Sequence, residues 1–551
     1  TFLRLLVTWE AIEHAGPGMY DQAYLEYVHA IVRKAGEHGM RLFIDPHEDV
    51  WSRFTGGDGA PGWTFECAGL DLVKFSETGA AIVHQIHGDP FPRMIWPTNN
   101  AKLAAATMWT LFFAGNDFAP RVRVDGEPIQ EYLQRHYVGA VQALAHRLRG
   151  LEAVVGYDTM NEPSAGYVGW RDLESPPDLL RLGPMPTPLQ AMALGAGIPQ
   201  QVDAWEMGIL GPKRVGSQRL NPAGARCWLA GRECIWREHG VWDVDSQGRA
   251  RLLQPKYFVE VAGRQVSFPD DHLVPFARRF AAAIRQVDGR TLIFLEHDPV
   301  GGCPAWRAHG QAQIVYAPHW YDGYVLFLKD YRRSLAVEMR TGRLILGKRR
   351  IRESFAGQLR VFLDEAAQRL GDVPVLLGEF GIPFDMKRGR SYRTGDFGPQ
   401  VEAFDRSFRA VEDNLLSCTL WNYTADNTNA HGDQWNGEDL SIFSRDQQSD
   451  PDNIDSGGRA LQAAVRPYPM AIAGEPLRMS FDRRQGVFEL EFRHDPQVDA
   501  PTEIFLPEVQ FPHGARWMMS DGQIEPTGDG QVFHYRHTSD RLTHTIAARR
   551  L

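Results

Sequence analysis

Residues 152–163 read EAVVGYDTMNEP, so an amide and a carboxylic acid follow closely on an apolar run. The run at 154–157 shows no alternation, which is typical of a strand in a parallel sheet covered on both faces. Asn161 and Glu162 come where this strand passes into a loop, and Pro163 disfavours a helix at the preceding residue. The stretch therefore predicts a buried strand that delivers Glu162 to the carboxyl edge of a parallel sheet.

The same arrangement recurs along the chain. Seven short apolar segments alternate with helical ones such as 21–39, in which apolar residues recur at three- and four-residue spacing. In a barrel of parallel strands all carboxyl ends converge on one mouth, whereas an open doubly wound sheet spreads them along an edge. The alternation predicts an α/β fold, a (β/α)8 TIM barrel, whose first strand is expected to precede residue 1. The polar residues at the strand ends are Arg4, Asp45, His47, Asn161, Glu162, Glu296, His319, Tyr321, Glu379, Trp421 and Asn422.

Two long insertions interrupt the predicted barrel, at 48–128 and 164–265. Long loops at a barrel mouth are frequently lids or pocket walls, although a purely structural role is an equal alternative for any one piece. Beyond residue 466 the pattern changes to alternation of period two between Pro and Gly turns, which is typical of an antiparallel β-sandwich. We therefore expect a (β/α)8 domain at 1–465 and a C-terminal β-sandwich domain at 466–551. The alternating residues are Leu477, Met479, Phe481, Phe488, Leu490 and Phe492.

The charge and cysteine content exclude several classes of protein. The 551 residues include 59 basic and 69 acidic side chains, for a formal net charge of -10, and no Lys/Arg block. This balance disfavours a nucleic-acid partner. The five cysteines form no C-x-x-C pair, which argues against a cysteine zinc site or a disulfide framework, although Cys227 and Cys234 could pair.

No apolar run reaches the length of a membrane span. We expect an intracellular protein, cytoplasmic or membrane-associated. Because the chain begins inside a predicted strand, a preceding segment is expected. The sequence does not decide whether that segment includes a signal peptide.

Two carboxylic acids at the predicted mouth, Glu162 and Glu379, are what glycoside hydrolysis requires. One must give a proton to the leaving oxygen and the other must stay ionised, and the first acid to ionise raises the pKa of its neighbour. Glu296 is a rival acid, for which support of the site or contact with substrate is favoured. The spacing of His47 and His319 fits no closed zinc motif, so hydrogen bonding is favoured, and no metal or cofactor is predicted.

Aromatic and amide residues complete the predicted site. Trp421 can form a floor on which a pyranose ring stacks, with a barrel plug as the alternative. The amide- and acid-rich loop that follows it suits a single glucose, with Asp426, Asn427 and Glu438 as candidate ligands. The apolar segment 103–115 is expected to wall an apolar pocket or touch a membrane surface, or else to be a buried loop helix.

The strand-end residues resemble the signature of glycoside hydrolase family 5. The resemblance implies a retaining mechanism, with Glu162 as acid/base and Glu379 as nucleophile. It also implies that Asn161 holds the sugar 2-hydroxyl and that Arg4 and Tyr321 hydrogen-bond the nucleophile. The full set that carries the resemblance is Arg4, His47, Asn161, Glu162, His319, Tyr321, Glu379 and Trp421.

A narrower resemblance extends over nearly the whole chain. The segments DPHEDVWSRFTGGDGAPGWT, LFFAGNDFAP, NYTADNTNAHGDQWNGEDLSIFS and APTEIFLP are similar to the endoglycoceramidase-related branch, and closest to fungal steryl-β-glucosidases and β-glucosylceramidases. This implies a retaining β-glucosidase for glucosylated lipids, a sterol glucoside first and glucosylceramide second, with transient membrane contact. Glu48 departs from the glutamine expected there, an extra acid that would alter the pH profile or sugar contacts. The alternatives are an endoglycoceramidase, a β-glucanase, or a non-catalytic carbohydrate- or lipid-binding protein.

Overall fold

In the computed structural model a strand lies in each of the seven apolar segments. The structure describes residues 2–88, 91–92, 95–177, 180–208, 211–299, 301–306, 313–338, 341–435, 437–538 and 540–551. Each strand ends within five residues of the polar residues predicted to follow it, except the first, which carries Arg4 at its centre. The seven strands are Phe2–Val7, Arg41–Pro46, Val154–Asp158, Leu292–Leu295, Ile314–Tyr316, Leu376–Phe380 and Ser417–Leu420.

The longer helices lie between these strands, as the alternation predicts. Their apolar faces are buried; in Gln22–Glu37 the buried residues recur at three- and four-residue spacing. The helices of eight or more residues are Gln22–Glu37, Leu103–Phe118, Ile129–Leu148, Pro188–Gly195, Val274–Val287, Lys348–Arg369, Met386–Thr394 and Gly398–Asp413. The shorter helices are Trp9–Glu13, Trp63–Cys67, Phe75–Thr78, His84–His87, Trp96–Ala101, Ile235–Glu238, Gly323–Leu328 and Leu461–Ala464.

The chain divides into two compact units. The first comprises residues 1–319, 365–378 and 435–437, and the second comprises 320–364, 379–434 and 438–551. The predicted boundary between 465 and 466 stays a prediction.

The first unit contains a parallel sheet of five strands in chain order, from Phe2–Val7 to Ile314–Tyr316. A further parallel bridge joins Tyr316 to Val375. The rings of Phe43 and Phe294 stack with centroids 4.0 Å apart and fill the space beside the strands. Gly156 makes the packing possible, because a Cβ there would lie 2.4 Å from the carbonyl oxygen of Leu292.

The apolar segment of the first insertion forms the helix Leu103–Phe118, and it is buried on all sides. Trp109, Phe112 and Phe113 are all 0% exposed. Phe112 packs against Phe276 and Phe113 against Phe268, each with ring centroids 5.1 Å apart. A helix that is apolar all round belongs in a core. The expectation that this segment touches a membrane surface is therefore wrong, and the alternative of a buried helix is confirmed.

The second insertion forms a long antiparallel ribbon, Gln200–Gly208 with Gly211–Leu220, to which Gly183–Pro184 adds a short third strand. Four further short antiparallel strand pairs are present among the described residues. They are Arg123–Val124 with Glu127–Pro128, Trp242–Val244 with Ala250–Leu252, Glu260–Val261 with Arg264–Gln265, and Leu335–Val337 with Leu344–Leu346.

Two four-stranded antiparallel sheets form the C-terminal part of the second unit. The alternation is confirmed for Phe488, Leu490 and Phe492, which are buried in one shared core. It is wrong for Leu477, which is 39% exposed because the strand register shifts between Pro476 and Arg478. One sheet is Tyr468–Ala471, Thr502–Phe505, Val532–Arg536 and Gln523–Pro526; the other is Gly474–Asp482, Val487–His494, Thr543–Arg550 and Ala515–Met519.

Arg466 joins the helix Gly398–Asp413 to these sheets within the second unit. Its guanidinium donates to Glu412 at 2.6 Å, to Asp405 at 2.9 Å and to the carbonyl of Phe481 at 3.2 Å. Breaking such a buried pair would leave an uncompensated charge, which costs about 3–5 kcal/mol.

The five cysteines are free thiols, and Cys227 and Cys234 do not pair. Over the described ranges, the helices are too short or too polar to cross a lipid bilayer.

Candidate active site

Arg4 is the centre of a buried network in the first unit. A single nitrogen, Nη2, donates to Asn161 Oδ1 at 2.8 Å and to Glu296 Oε1 at 2.7 Å, and it lies 3.2 Å from Asp45 Oδ2. The arginine side chain is 4% exposed, so its charge is stabilised by these oxygens instead of by water. The network ties three strand ends together and orients the amide of Asn161.

His47 is held on both sides by carboxylates. Its Nδ1 lies 2.8 Å from Asp45 Oδ2, and its Nε2 lies 3.3 Å from Asp49 Oδ2. Burial opposes a charge on the ring, but the Asp45, Asp58 and Asp49 carboxylates outweigh it and raise the pKa of His47 well above its ordinary value. The amide of Asn161 also donates to Asp49 Oδ1 at 3.2 Å, so His47 and Asn161 share a neighbour.

Glu162 is fixed through its backbone and through its side chain. Its φ of 36° places the residue in the left-handed region, which turns the chain sharply after the strand. Its N–H donates to Glu296 Oε2 at 2.8 Å, and its Oε1 lies 2.9 Å from Nδ1 of His319. The side chain is 21% exposed, so a ligand can reach the carboxyl group.

Glu296 supports the other groups from a buried position. Its side chain is 2% exposed, and Oε1 lies 3.1 Å from Nε2 of His319. Burial favours the neutral acid, but His319 and Arg4 outweigh it and hold the pKa of Glu296 below its usual range. Glu296 is therefore an ionised anchor for Glu162, Arg4 and His319, in agreement with the supporting role favoured from the sequence.

Asp158 is a residue that the sequence pattern did not single out. It ends the strand before Glu162, and its carboxyl oxygens come within 4.8 Å of ligand oxygens on Asp45 and Glu296. Burial, followed by the Glu296 and Asp45 charges, raises the pKa of Asp158 well above its ordinary value. An acidic residue that closes an apolar strand is the signal that could have found it.

His319 is positioned by the neighbouring strand end. Its segment follows the strand Ile314–Tyr316, and the N–H of Gly378 donates to the carbonyl of Pro318 at 2.9 Å. A Cβ at Gly378 would lie 3.2 Å from the His319 ring and 2.9 Å from the carbonyl oxygen of Ala317. A glycine at position 378 therefore leaves the space that the His319 ring occupies between Glu162 and Glu296.

A cluster of acids lies beside His47. Glu48 is 1% exposed, so its carboxyl group is shielded from solvent. Burial, with Asp58 second, raises the pKa of Glu48 well above its ordinary value. Burial also raises the pKa of Asp58 to about 7, against an opposing effect of His47. The carboxylate Oδ1 of Asp58 accepts from the backbone N–H of Asp49 at 3.3 Å.

This cluster predicts a stability that falls as the pH rises. From about pH 4 to about pH 7 the folded chain keeps a proton on Asp58 that the unfolded chain has released, so the free energy of unfolding decreases with pH. The raised pKa of His47 acts in the same direction above about pH 6.5, because the unfolded chain releases the ring proton there while the folded chain still keeps it. Asp58→Asn is expected to flatten the dependence, measured as the unfolding midpoint at pH 5 and pH 8. The exposed Asp452→Asn is the control, and an unchanged slope in Asp58→Asn would contradict the assignment.

Tyr321, Glu379 and Trp421 belong to the second unit. Glu379 is 6% exposed, lies in the strand Leu376–Phe380, and accepts at its backbone carbonyl from the Trp320 N–H at 3.0 Å. The N–H of Trp421 donates to the carbonyl of Phe380 at 2.9 Å, so two strand ends adjoin here.

The loop after Trp421 is held by its own polar residues. Asn427 is 0% exposed, and its amide donates to Asp433 Oδ1 at 2.8 Å and to Asp439 Oδ1 at 2.9 Å. Arg459 also donates to Asp439, at 3.0 Å. The expectation that Asn427 binds glucose is therefore wrong, because its hydrogen bonds maintain the loop. Asp426 is exposed and accepts from Gln434 at 2.9 Å.

The sequence and the structure match those of a known protein family. The sequence profile described as "Cellulase (glycosyl hydrolase family 5)" matches residues 1–177, and the "Glycoside hydrolase family 5 C-terminal domain" matches residues 466–547. A glucosylceramidase from Rhizopus delemar is 38% identical over 95% of this chain and 80% of its own length. The chain belongs to glycoside hydrolase family 5.

Other relatives of this glycoside hydrolase agree. An ergosteryl-beta-glucosidase from Saccharomyces cerevisiae is 32% identical over 97% of this chain and 84% of its own. The crystal structure of sterylglucosidase 1 from Cryptococcus neoformans superposes with a TM-score of 0.93 at 34% identity, over 100% of this chain and 86% of that one. The predicted TIM-barrel fold with C-terminal antiparallel sheets is confirmed, and so is the prediction of a glycosidase.

Proposed function

We propose that this family 5 glycosidase is a retaining β-glucosidase that hydrolyses glucosylated lipids, a steryl β-glucoside first and glucosylceramide second. Similarity over nearly the whole chain to proteins named glucosylceramidase and ergosteryl-beta-glucosidase supports this substrate class. The observation that carries the mechanism is the carboxyl group of Glu162. It follows a strand end and is hydrogen-bonded to His319. The Glu162 side chain is 21% exposed, whereas the Glu296 side chain is 2% exposed.

In the first step Glu162 is the general acid and Glu379 the nucleophile. Glu379 attacks the anomeric carbon while the glycosidic oxygen takes the proton of Glu162, so the bond between that carbon and the oxygen breaks. The lipid alcohol leaves, and glucose stays attached to Glu379 as an ester. The step requires the two carboxyl groups to lie about 5–5.5 Å apart.

In the second step water completes the reaction. Glu162, now ionised, accepts a proton from the water, whose oxygen attacks the anomeric carbon. The ester bond to Glu379 breaks, and glucose leaves with the configuration of the substrate. Glu162 regains its proton and is ready for another cycle.

The network around Glu162 includes a hydrogen-bond acceptor for that proton. For the reactive form we assign the ring proton of His319 to Nε2, which lies 3.1 Å from Oε1 of Glu296. Nδ1 of this neutral ring can then accept a hydrogen bond from the protonated carboxyl group of Glu162, 2.9 Å away. Arg4 and Asn161 belong to the same network, and the role proposed for the Asn161 amide is to hold the sugar 2-hydroxyl. The roles of Arg4 and Tyr321 as hydrogen-bond donors to Glu379 are part of the proposal.

The substrate class is tested by product analysis with steryl β-glucoside, glucosylceramide and lactosylceramide side by side. We expect free glucose from the first two substrates and no intact disaccharide from the third. Release of intact lactose would favour an endoglycoceramidase, and preference for a β-glucan oligosaccharide would favour a glucanase. Binding of all these ligands without turnover would leave the non-catalytic alternative.

A lipid substrate also implies transient contact with a membrane surface. We propose an intracellular location, cytoplasmic or membrane-associated, for which the free thiols of all five cysteines are support. Cell fractionation with an antibody against the chain tests this, and recovery from the medium would contradict it.

A further inference from the structure

Three histidine rings meet in the C-terminal sheets, in the second unit and outside the residues assigned to glycoside hydrolysis. His494 ends one strand, His544 lies on the neighbouring strand of the same sheet, and His537 directly follows a strand of the other sheet. Nδ1 of His494 lies 2.9 Å from Nε2 of His544. One ring nitrogen from each of the three histidines lies within 4.8 Å of the other two.

A carboxylate orients one of these rings from behind. Nδ1 of His544 lies 2.8 Å from Oδ1 of Asp521, which leaves Nε2 to face the other histidines. Asp521 is itself fixed, because its oxygens accept from the hydroxyl of Tyr535 at 2.9 Å and from the N–H of Thr538 at 3.1 Å. A carboxylate that accepts from the outer nitrogen of a histidine is the usual support of a metal-binding imidazole.

Packing fixes the rings close together. His544 is 0% and His494 is 9% exposed, and His537 closes the cluster from the partly exposed side. The rings of His494 and His537 stack with centroids 4.6 Å apart and an interplanar angle of 16°. The three rings are thus held with one nitrogen of each near the other two, and the stacked pair must turn for both lone pairs to reach a common ion.

We propose that His494, His537 and His544 bind a divalent transition metal ion, with zinc as the first candidate. Three imidazole nitrogens with an open fourth position are a ligand set that zinc takes, at distances of about 2.0–2.1 Å. Nitrogens at a common tetrahedral ion lie about 3.3 Å apart, so binding requires the stacked rings to turn and the His494 and His544 nitrogens, now 2.9 Å apart, to separate slightly. Because the ligands come from both sheets, the ion would link them. This inference revises the sequence-based expectation of no metal, which was drawn from cysteine spacing and from His47 and His319.

The test uses the full chain, stripped with a chelator and then titrated with zinc chloride by calorimetry. We expect one saturable site per chain and an unfolding midpoint that rises by a few degrees when zinc is in excess. Cobalt(II) in place of zinc is expected to give the intense visible absorption of a tetrahedral nitrogen site. A chain that binds neither ion saturably would overturn the proposal.

Variants locate the site. His537→Ala removes the least buried ligand, and we expect its zinc affinity to fall by about 100-fold or more. Asp521→Asn keeps all three histidine rings but removes the carboxylate that orients His544. Its affinity for zinc is expected to fall by about 10–100-fold. His534→Ala is the matched control, since His534 lies on the strand before His537 with a side chain 40% exposed. Undiminished affinity in His537→Ala, or an equal loss in His534→Ala, would contradict the site, whether or not glucosidase activity is found.

Discussion

Glu379→Ala is expected to lose hydrolysis of a β-glucoside by about 10⁵-fold, and sodium azide is expected to restore turnover. Alanine leaves no carboxylate to form the glucosyl ester, but it leaves space in which the small azide anion can stand. Azide then attacks the anomeric carbon from the side that Glu379 would have used, while Glu162 still protonates the leaving oxygen. The product should be α-glucosyl azide, identified by proton NMR of the purified sugar.

The control for this result is Glu296→Ala, which removes the rival acid. Because alanine removes a carboxylate that neutralises buried Arg4, we expect a loss of stability of about 3–5 kcal/mol and a loss of activity that azide does not restore. Rescue of Glu296→Ala by azide, with none for Glu379→Ala, would reverse the assignment of the nucleophile.

Among these variants, Glu162→Gln is expected to have the hydrolysis rate that depends most strongly on the leaving group of the glucoside. Glutamine keeps the size of the side chain but cannot give up a proton, so cleavage of a lipid glucoside should slow by about 10²–10⁴-fold. A dinitrophenyl glucoside needs no protonation of its leaving group, so the glucosyl ester should form quickly and accumulate. A burst of dinitrophenol followed by slow turnover, measured by stopped-flow absorbance, is the expected observation.

Azide distinguishes the role of Glu162 from that of Glu379. In Glu162→Gln azide needs no general base, so it should replace water in the second step and yield β-glucosyl azide. The opposite anomers from the two variants follow from attack on opposite faces of the sugar. Equal slowing on lipid and dinitrophenyl glucosides, without a burst, would mean that Glu162 does not protonate the leaving group.

The strand pattern was predictable because parallel strands that are buried on both faces are continuously apolar and short. The run at 154–157 lies within the strand Val154–Asp158, and the helix Gln22–Glu37 lies within the segment 21–39 that shows helical spacing. Local sequence was less informative where packing decides the outcome. The exposure of Leu477 follows from a register shift, and the burial of the helix Leu103–Phe118 from neighbours distant in the chain.

In the candidate site, too, some residues could be predicted from local sequence and others could not. Glu162 and Asn161 could be predicted because a strand end places them, but the partners that control them are remote in sequence. Glu296 accepts a hydrogen bond from the N–H of Glu162, and the two residues are 134 positions apart in the chain. Arg4 and Asn161, which are also hydrogen-bonded, are 157 positions apart. The histidine cluster has no closed metal spacing, since His494 and His544 are 50 positions apart, and only the pairing of the strands reveals it.

The most direct measurement of the central claim is covalent labelling with a 2-deoxy-2-fluoro-β-glucoside that carries an activated leaving group. The fluorine slows release of the glucosyl ester, so the proposed intermediate accumulates. After proteolysis, mass spectrometry should find one fluoroglucosyl group per chain, on the peptide that contains Glu379. A label on Glu296 or Glu162, or inactivation without any covalent sugar, would contradict the proposed mechanism.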